Sequence, residues 1–217
     1  MKIPKQIKAV IFDMDGLMID SEPYWAKADK AFFSKHNKPY SQEINLQIMG
    51  MGQREIIEYY KRDLEFVGDT QELIAERKKL LYEFLLANIS LMEGVEEIVR
   101  LFYKEKMTLA IATSGHTREK AREILEKVGL QDFFLVVISG DDVVRSKPAP
   151  DIYLKTAEML HIEPSACLVF EDAPNGVVAG KAAGMIVYGV NKDEAMYTNL
   201  KEAGADEVFR SLQEIFE

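Results

Sequence analysis

Cysteine is almost missing from this sequence: Cys167 is the only one among 217 residues. A single cysteine cannot form an intrachain disulfide, so the sequence does not require an oxidising compartment. Long apolar runs are missing as well, because the longest unbroken one, residues 133–138, is about a third of what a membrane-spanning helix needs. Residues 9–12 are too short a run for a secretory signal. We therefore expect a cytoplasmic protein that does not bind a membrane.

Basic residues are in the minority. The sequence has 27 Lys and Arg against 36 Asp and Glu, which gives a net charge of −9. Proteins hold phosphate backbones mainly with Lys and Arg, so this balance argues against a nucleic-acid partner. Hydrophobic residues make up 47% of the chain, which excludes a disordered chain and leaves ample material for a core.

Short apolar runs predict the strands of a buried sheet. They are Ile7–Phe12, Thr108–Ala112, Leu135–Ile138, Ala166–Phe170 and Met185–Val190. Between them, apolar residues recur at helical spacing in residues 95–102, 121–128 and 153–160. Apolar strands that alternate with amphipathic helices are typical of a parallel sheet covered on both faces. We predict an α/β fold with a Rossmann-like parallel-sheet core.

One segment interrupts this alternation. Residues 23–91 contain no convincing strand, only helical patterns. A helical block of this size, inserted after the first strand, is typical of a separate subdomain. We therefore predict an α/β core formed by residues 1–20 together with 92–217, and an all-helical cap formed by residues 21–91.

The motif Asp13-Met14-Asp15-Gly16 directly follows the first predicted strand. Extended residues two apart point to the same side, so the Asp13 and Asp15 carboxylates can face one crevice. Two carboxylates this close repel each other unless a cation lies between them, which suits a hard metal ion or an acid–base pair. A solvated surface turn is the alternative, since Asp and Gly are common in turns.

Three further groups stand where later strands should end. Thr113-Ser114 precedes a helix, where hydroxyls and free N–H groups can bind an anion or simply cap the helix. Lys147 is followed by two prolines, which can aim its ammonium at a site, with a solvent-exposed lysine as the alternative. Glu171-Asp172 is a second acidic pair, either half of a cation site or helix-capping carboxylates. Together these groups would suit a phosphoryl group bridged to a divalent metal.

The segments DMDGLMIDSE, ATSG, SKPAPD and VFEDAPNG resemble, in this order, the four motifs of the haloacid dehalogenase-like superfamily. The resemblance covers nearly the whole chain. The helical insertion is similar to the cap of the subgroup that contains β-phosphoglucomutases and small sugar-phosphate phosphatases. Segments such as VIFDMDGL and CLVFEDAPNGV look closest to pseudouridine-5′-phosphatase-like members.

This resemblance implies a reaction mechanism. Asp13 would be the nucleophile that attacks phosphorus and forms an aspartyl-phosphate. Asp15 would be the general acid for the leaving alcohol and then the base that activates water. Thr113, Ser114 and Lys147 would bind the phosphoryl oxygens.

The resemblance also implies Mg²⁺ as the cofactor. Its ligands would be the Asp13 carboxylate, the main-chain carbonyl of Asp15 and Asp172, with Glu171 as an additional or more distant ligand. The implied partner is a small phosphorylated metabolite, and we expect the protein to act as a monomer.

The subgroup contains both phosphatases and phosphomutases. β-Phosphoglucomutases carry a histidine in the helix after the first motif, whereas the corresponding residue here is Trp25. They also have a cap loop that ends in Arg, and its counterpart here, residues 49–54, keeps Arg54. Arg54 could therefore bind substrate or be a solvated residue at a helix start. The missing histidine favours a phosphatase, with a β-phosphoglucomutase-type mutase as the alternative.

One other class of protein is less favoured. A phospho-receiver signalling module also combines acidic residues with Lys and a hydroxyl on a parallel sheet. It is shorter, however, and its acceptor Asp follows a middle strand.

His116 follows the predicted phosphate-binding turn, and we interpret it as a structural or solvated residue, with a substrate contact as the alternative.

Overall fold

The computed structural model describes residues 3–48 and 51–216, apart from the side chain of Leu46. The chain divides into two compact units: one contains the residues up to Asp20 and from Ser90 onward, and the other is Ser21–Ile89. The core unit resumes at residue 90, two residues before the predicted 92, and the Asp20 N–H donates to the Ser90 carbonyl there. No helix in the described part of the chain is long and apolar enough to cross a membrane.

The secondary-structure elements are numbered in chain order. The strands are β1 (Ala9–Phe12), β2 (Thr108–Thr113), β3 (Phe134–Ser139), β4 (Cys167–Glu171), β5 (Ile186–Val190) and β6 (Glu207–Phe209). The α-helices of the described residues are α1 (Glu22–Lys35), α2 (Gln42–Ile48), α3 (Gln53–Asp63), α4 (Thr70–Asn88), α5 (Val95–Lys104), α6 (Arg118–Lys127), α7 (Asp151–Leu160), α8 (Pro174–Ala182) and α9 (Glu194–Glu202).

The core unit is built on one parallel sheet with the strand order β3-β2-β1-β4-β5-β6. β1 lies in the middle, where Phe12 is beside Ile111 of β2 and Phe170 of β4. The residues that follow these three strands therefore reach the same edge of the sheet, where open α/β sheets bind ligands. The predicted α/β fold class is confirmed.

Alternate residues of β1 pack on opposite sides of the sheet, as the pleat requires. Ala9 and Ile11 belong to an apolar cluster that includes residues of α7 and α8. The Phe12 ring lies 6.3 Å from the ring of Phe102 on α5. The sheet is thus covered on both faces, which explains why its strands are apolar without alternation.

Five strands match the predicted apolar runs to within two residues at each end. The sixth, β6, was missed because it has three residues and begins with an exposed glutamate. Gly129 and Gly184 follow α6 and α8 with φ angles of 72° and 76°, the left-handed conformation that ends helices.

The second unit contains α1–α4 and, within the part of it that the structure describes, no strand. Aromatic side chains make up more than half of its buried apolar core, namely Phe32, Phe33, Tyr59, Tyr60 and Phe66. The Phe32 and Phe66 rings stack with centroids 5.3 Å apart. This unit therefore has an apolar core of its own.

A buried ion pair crosses that core, and the sequence analysis did not predict it. Arg77 on α4 donates through Nε and a terminal nitrogen to the Asp29 carboxylate on α1, at 2.5 and 2.8 Å. Its other terminal nitrogen donates to Gln53 Oε1, the first residue of α3, at 2.7 Å. The guanidinium also lies 4.5 Å from the centroid of the Trp25 ring. One arginine thus connects three helices of the cap.

Candidate active site

Three carboxylates meet at the edge of the sheet. Asp13 directly follows β1, and its N–H donates to the Phe170 carbonyl of β4 at 3.0 Å. Glu171 ends β4 and Asp172 follows it. Carboxylate oxygens of Asp13, Glu171 and Asp172 all lie within 4.8 Å of one another. Neighbouring parallel strands have therefore brought the first and last acidic motifs into one cluster.

Lys147 supplies positive charge to this cluster. Its Nζ lies 2.5 Å from both Asp13 Oδ1 and Glu171 Oε1, and it donates to the Ala112 carbonyl at 3.2 Å. Only 10% of the Lys147 side chain is exposed. Burial acts to lower the pKa of Lys147, but Asp13 and Glu171 together raise it well above its usual value. The two carboxylates therefore favour the charged ammonium and hold it in the site.

One lysine does not balance the acidic groups around it. Burial raises the pKa of Asp13 to about 7, with Lys147 opposing the shift and the Glu171 and Asp15 carboxylates adding to it. Burial, followed by the Asp13 and Glu171 charges, raises the pKa of Asp172 well above its usual value. A carboxylate cluster with excess negative charge and only oxygen donors fits a hard divalent cation.

Gly16 lets the two acidic motifs come this close. Its φ angle is 77°, and a Cβ at this position would overlap the Asp172 carboxylate. The Asp172 main-chain carbonyl accepts a hydrogen bond from Asn191 Nδ2 at 3.2 Å, which fixes the loop after β4. The glycine of the Asp-Met-Asp-Gly motif is thus required both by the backbone and by space.

Tyr153 is a part of the site that sequence reasoning missed. Its side chain is buried on α7, its hydroxyl donates to Glu171 Oε1, and its ring centroid is 5.2 Å from Lys147 Nζ. The helical pattern placed Tyr153 in the core but could not show that its hydroxyl reaches a strand end. An aromatic residue with a hydroxyl at a core position soon after the lysine motif was the only available signal.

The predicted phosphate-binding hydroxyls lie at the end of β2. Thr113 is buried, and its Oγ1 accepts a hydrogen bond from the Gly115 N–H at 3.3 Å. The Ser114 Oγ is also buried and has no hydrogen-bond partner among the described residues. A buried hydroxyl without a partner is costly, so this oxygen fits a site for a polar ligand atom.

The Asp15 carboxylate is not among the three that lie within 4.8 Å of one another. Its Oδ1 is 3.0 Å from Nε2 of His116, whose side chain is 0% exposed. The burial of His116 excludes the solvated alternative. The predicted metal ligand of Asp15 is its main-chain carbonyl, so the position of its carboxylate leaves that prediction untested.

Arg54 belongs to the helical cap unit. It is an exposed residue in the first turn of α3, and its predicted role in substrate binding stays a prediction. The cap loop that it ends begins with Met49 and Gly50, which lie outside the described residues.

Acidic, ammonium and hydroxyl groups gathered at the strand ends of a parallel sheet are typical of enzymes that transfer or hydrolyse phosphoryl groups. The chain matches the sequence model of the haloacid dehalogenase-like hydrolases over residues 10–190 and belongs to that family. The family predicted from the four motifs is thereby confirmed.

Named relatives are similar along most of their length. A protein of Thermotoga maritima named "Phosphorylated carbohydrates phosphatase" is 34% identical, over 96% of this chain and 100% of that protein. A Drosophila melanogaster protein named "Probable pseudouridine-5'-phosphatase" is 32% identical, over 97% of this chain and 92% of its own. The solved structure of a β-phosphoglucomutase from Clostridium difficile is 24% identical, covers 96% of this chain and 93% of its own, and superimposes with a TM-score of 0.81. This last likeness concerns the fold.

Proposed function

We propose that this protein is a Mg²⁺-dependent phosphatase that hydrolyses a small phosphorylated metabolite through an aspartyl-phosphate intermediate. The observation that supports this most directly is the meeting of Asp13 and Lys147 within 2.5 Å, although they are 134 residues apart in sequence. Glu171 and Asp172 complete the same cluster. An ammonium beside a cluster of buried carboxylates that could hold a cation suits phosphoryl transfer, in which positive charge stabilises the phosphoryl oxygens.

Asp13 is the proposed nucleophile. A bond forms between its carboxylate oxygen and phosphorus while the bond from phosphorus to the leaving alcohol oxygen breaks. The electron pair of the broken bond stays on the alcohol oxygen, which takes a proton from Asp15. Lys147 offsets the repulsion between the Asp13 carboxylate and the phosphate dianion.

The second step regenerates the free enzyme. A water molecule attacks phosphorus and gives its proton to Asp15, the bond from phosphorus to Asp13 breaks, and inorganic phosphate leaves. The hydroxyls of Thr113 and Ser114, at the end of β2, are proposed to hold the phosphoryl oxygens through both steps.

The Mg²⁺ site would use the carboxylates of Asp13 and Asp172 and the main-chain carbonyl of Asp15. Glu171 already binds Lys147 and accepts from Tyr153, so its proposed role is to hold these groups in place beside the ion. When bound, the ion supplies positive charge that stabilises the phosphoryl oxygens as negative charge builds up on them.

The substrate is proposed to be a phosphorylated sugar, polyol or nucleoside, because relatives of 32–34% identity are named "Phosphorylated carbohydrates phosphatase", "Probable pseudouridine-5'-phosphatase" and "Hexitol phosphatase B". Hydrolysis is favoured over a mutase reaction by Trp25. It stands where the mutases of the family carry a histidine, and its ring packs on Arg77. An indole offers no group that could replace the imidazole in proton transfer.

A phosphate-release screen tests the proposal. Sugar phosphates, polyol phosphates and nucleoside monophosphates are each incubated with the protein in Mg²⁺ or in EDTA. We expect release from at least one class, its loss in EDTA, and its abolition by Asp13→Asn but not by Asp132→Asn, an exposed control. Release from no compound, or activity that survives Asp13→Asn, contradicts the proposal. A coupled assay for conversion of hexose 1-phosphate to hexose 6-phosphate separates a mutase from a phosphatase.

A further inference from the structure

His116 lies buried beside the proposed acid–base residue. It precedes α6, and its Nε2 lies 3.0 Å from Asp15 Oδ1. The two residues are 101 positions apart in sequence, and the parallel pairing of β1 with β2 brings them together. With a side chain that is 0% exposed, His116 has no role as a solvated surface residue.

The turn after β2 is shaped around the Asp15 carboxylate. A Cβ at Gly115 would overlap Asp15 Oδ2, so a residue with a side chain at this position would displace the carboxylate. The next residue, His116, contacts the other oxygen, Oδ1. One turn thus makes room for one carboxylate oxygen and offers a hydrogen bond to the other.

We propose that His116 is a positioning residue for proton transfer by Asp15, an inference that rests on the proposed phosphatase function. An ionised carboxylate can only accept hydrogen bonds, so in this role the imidazole donates its Nε2–H to Oδ1. The same bond persists when Oδ2 carries the proton, so the carboxyl group keeps its orientation before and after the transfer. His116 neither gains nor loses a proton in this step.

A positioning role for His116 has a consequence that a purely structural role does not share. In the first step, the bond from phosphorus to the leaving oxygen breaks and that oxygen takes the proton of Asp15. A sugar or polyol alkoxide is a poor leaving group and needs this proton, whereas p-nitrophenolate leaves readily without it. Damage to the orientation of Asp15 therefore affects alkyl phosphates much more than p-nitrophenyl phosphate.

The experiment compares kcat/KM for two substrates: p-nitrophenyl phosphate and the best alkyl phosphate from the screen. This ratio reports only the steps up to release of the alcohol or phenol, so hydrolysis of the aspartyl-phosphate does not enter. We expect His116→Leu to lower it by about 10- to 100-fold for the alkyl phosphate and by less than about 3-fold for p-nitrophenyl phosphate. His116→Gln, whose amide N–H can replace the Nε2–H, should recover most of the loss.

Controls separate this role from a general effect on folding. His161→Asn changes an exposed histidine in the left-handed C-cap of α7 and should leave both ratios unchanged. His116→Asn offers its amide at the position of Nδ1 and should behave as His116→Leu does, which keeps the test usable if the leucine variant does not fold. Thermal unfolding and the Mg²⁺ activation constant of each variant are measured in parallel.

The positioning role is overturned if His116→Leu lowers kcat/KM equally for both substrates, or does not lower it for the alkyl phosphate. It is also overturned if His116→Gln lowers kcat/KM for the alkyl phosphate as much as His116→Leu does. None of these results contradicts the phosphatase function. A wild-type protein that hydrolyses neither substrate refutes the proposed function and this inference with it.

Discussion

Among single residues, Tyr153 links the apolar core to the acidic cluster. Its hydroxyl donates to Glu171 Oε1, the oxygen that Lys147 also contacts. Burial, and after it the Glu171 charge, raises the pKa of Tyr153 well above its usual value. The hydroxyl therefore remains a donor at every physiological pH.

We expect Tyr153→Phe to lower the free energy of unfolding by about 1–2 kcal/mol, because the buried Glu171 carboxylate loses a donor that nothing replaces. Denaturant titration measures the change. Tyr103→Phe is the matched control, since Tyr103 is 56% exposed, and it should change stability by less than about 0.5 kcal/mol. Equal stability of Tyr153→Phe and wild type would show that the hydroxyl does not support Glu171.

Cys167 is a second residue whose surroundings decide its chemistry. It is fully buried in β4, and burial raises the pKa of its thiol to about 11. Only the thiolate reacts with disulfide reagents, so the folded protein should not react with such a reagent at about pH 8. Because Cys167 is the only cysteine, denaturation should release one equivalent of thiol. Reaction of the folded and denatured protein at similar rates would contradict the buried placement.

Among the helices and strands, the buried Asp29–Arg77 pair carries the clearest prediction. Arg77→Met leaves the Asp29 charge buried and uncompensated, which should cost about 3–5 kcal/mol of stability. The double variant Asp29→Leu, Arg77→Met removes both charges and should be more stable than Arg77→Met alone. Denaturant titration of the single and double variants gives their coupling energy.

The control for this pair is Lys155→Met, which removes an exposed ion pair with Glu158 on α7. Such a pair is worth less than about 1 kcal/mol. If the free energy of unfolding lost by the Asp29→Leu, Arg77→Met double variant equals the sum of the losses of the two single variants, the charges of Asp29 and Arg77 are not coupled.

The sequence predicts helices and strands better than it predicts which groups a buried polar side chain contacts. Apolar periodicity records which residues are buried, so it located five strands and the main helices of the core. It does not record what a buried polar group touches. Asp29 and Arg77 lie on α1 and α4, 48 residues apart, and each resembles an ordinary charged position on a helix. β6 was missed for a related reason, since one exposed and one half-buried residue leave it little apolar signal.

For the molecule as a whole, the parallel sheet is what made the site predictable. Residues that follow neighbouring parallel strands must lie at the same edge of the sheet, the one formed by the carboxyl ends of the strands. The sequence alone therefore predicts that Asp13, Lys147 and Glu171 lie close together. The contact of His116 with Asp15 could not be predicted, because it depends on how one turn packs against a carboxylate. General rules for histidines near helix starts favour a structural or solvated residue at that position.

Because the proposed metal site gathers acidic residues from distant parts of the chain, metal binding and global stability should depend together on pH. Burial raises the pKa of Asp13 to about 7 in the folded chain, from 3.8 for an ordinary aspartate. Without metal, the folded state therefore binds this proton more tightly than the unfolded state does. The stability that Asp13 contributes is present at low pH and is lost as the pH rises through about 7.

Mg²⁺ needs the ionised carboxylate, so its stabilising effect should run in the opposite direction. Protons compete with the ion below about pH 7, and the competition disappears above it. At a Mg²⁺ concentration about 100 times its Kd, we expect about 2.7 kcal/mol of stabilisation at pH 8 and clearly less at about pH 5. Thermal unfolding in Mg²⁺ and in EDTA across this range measures the difference. Asp13→Asn, which is a weaker ligand, should lose most of the Mg²⁺ effect, whereas Asp132→Asn should keep it. A Mg²⁺ effect of equal size at every pH would show that Asp13 is not among the ligands.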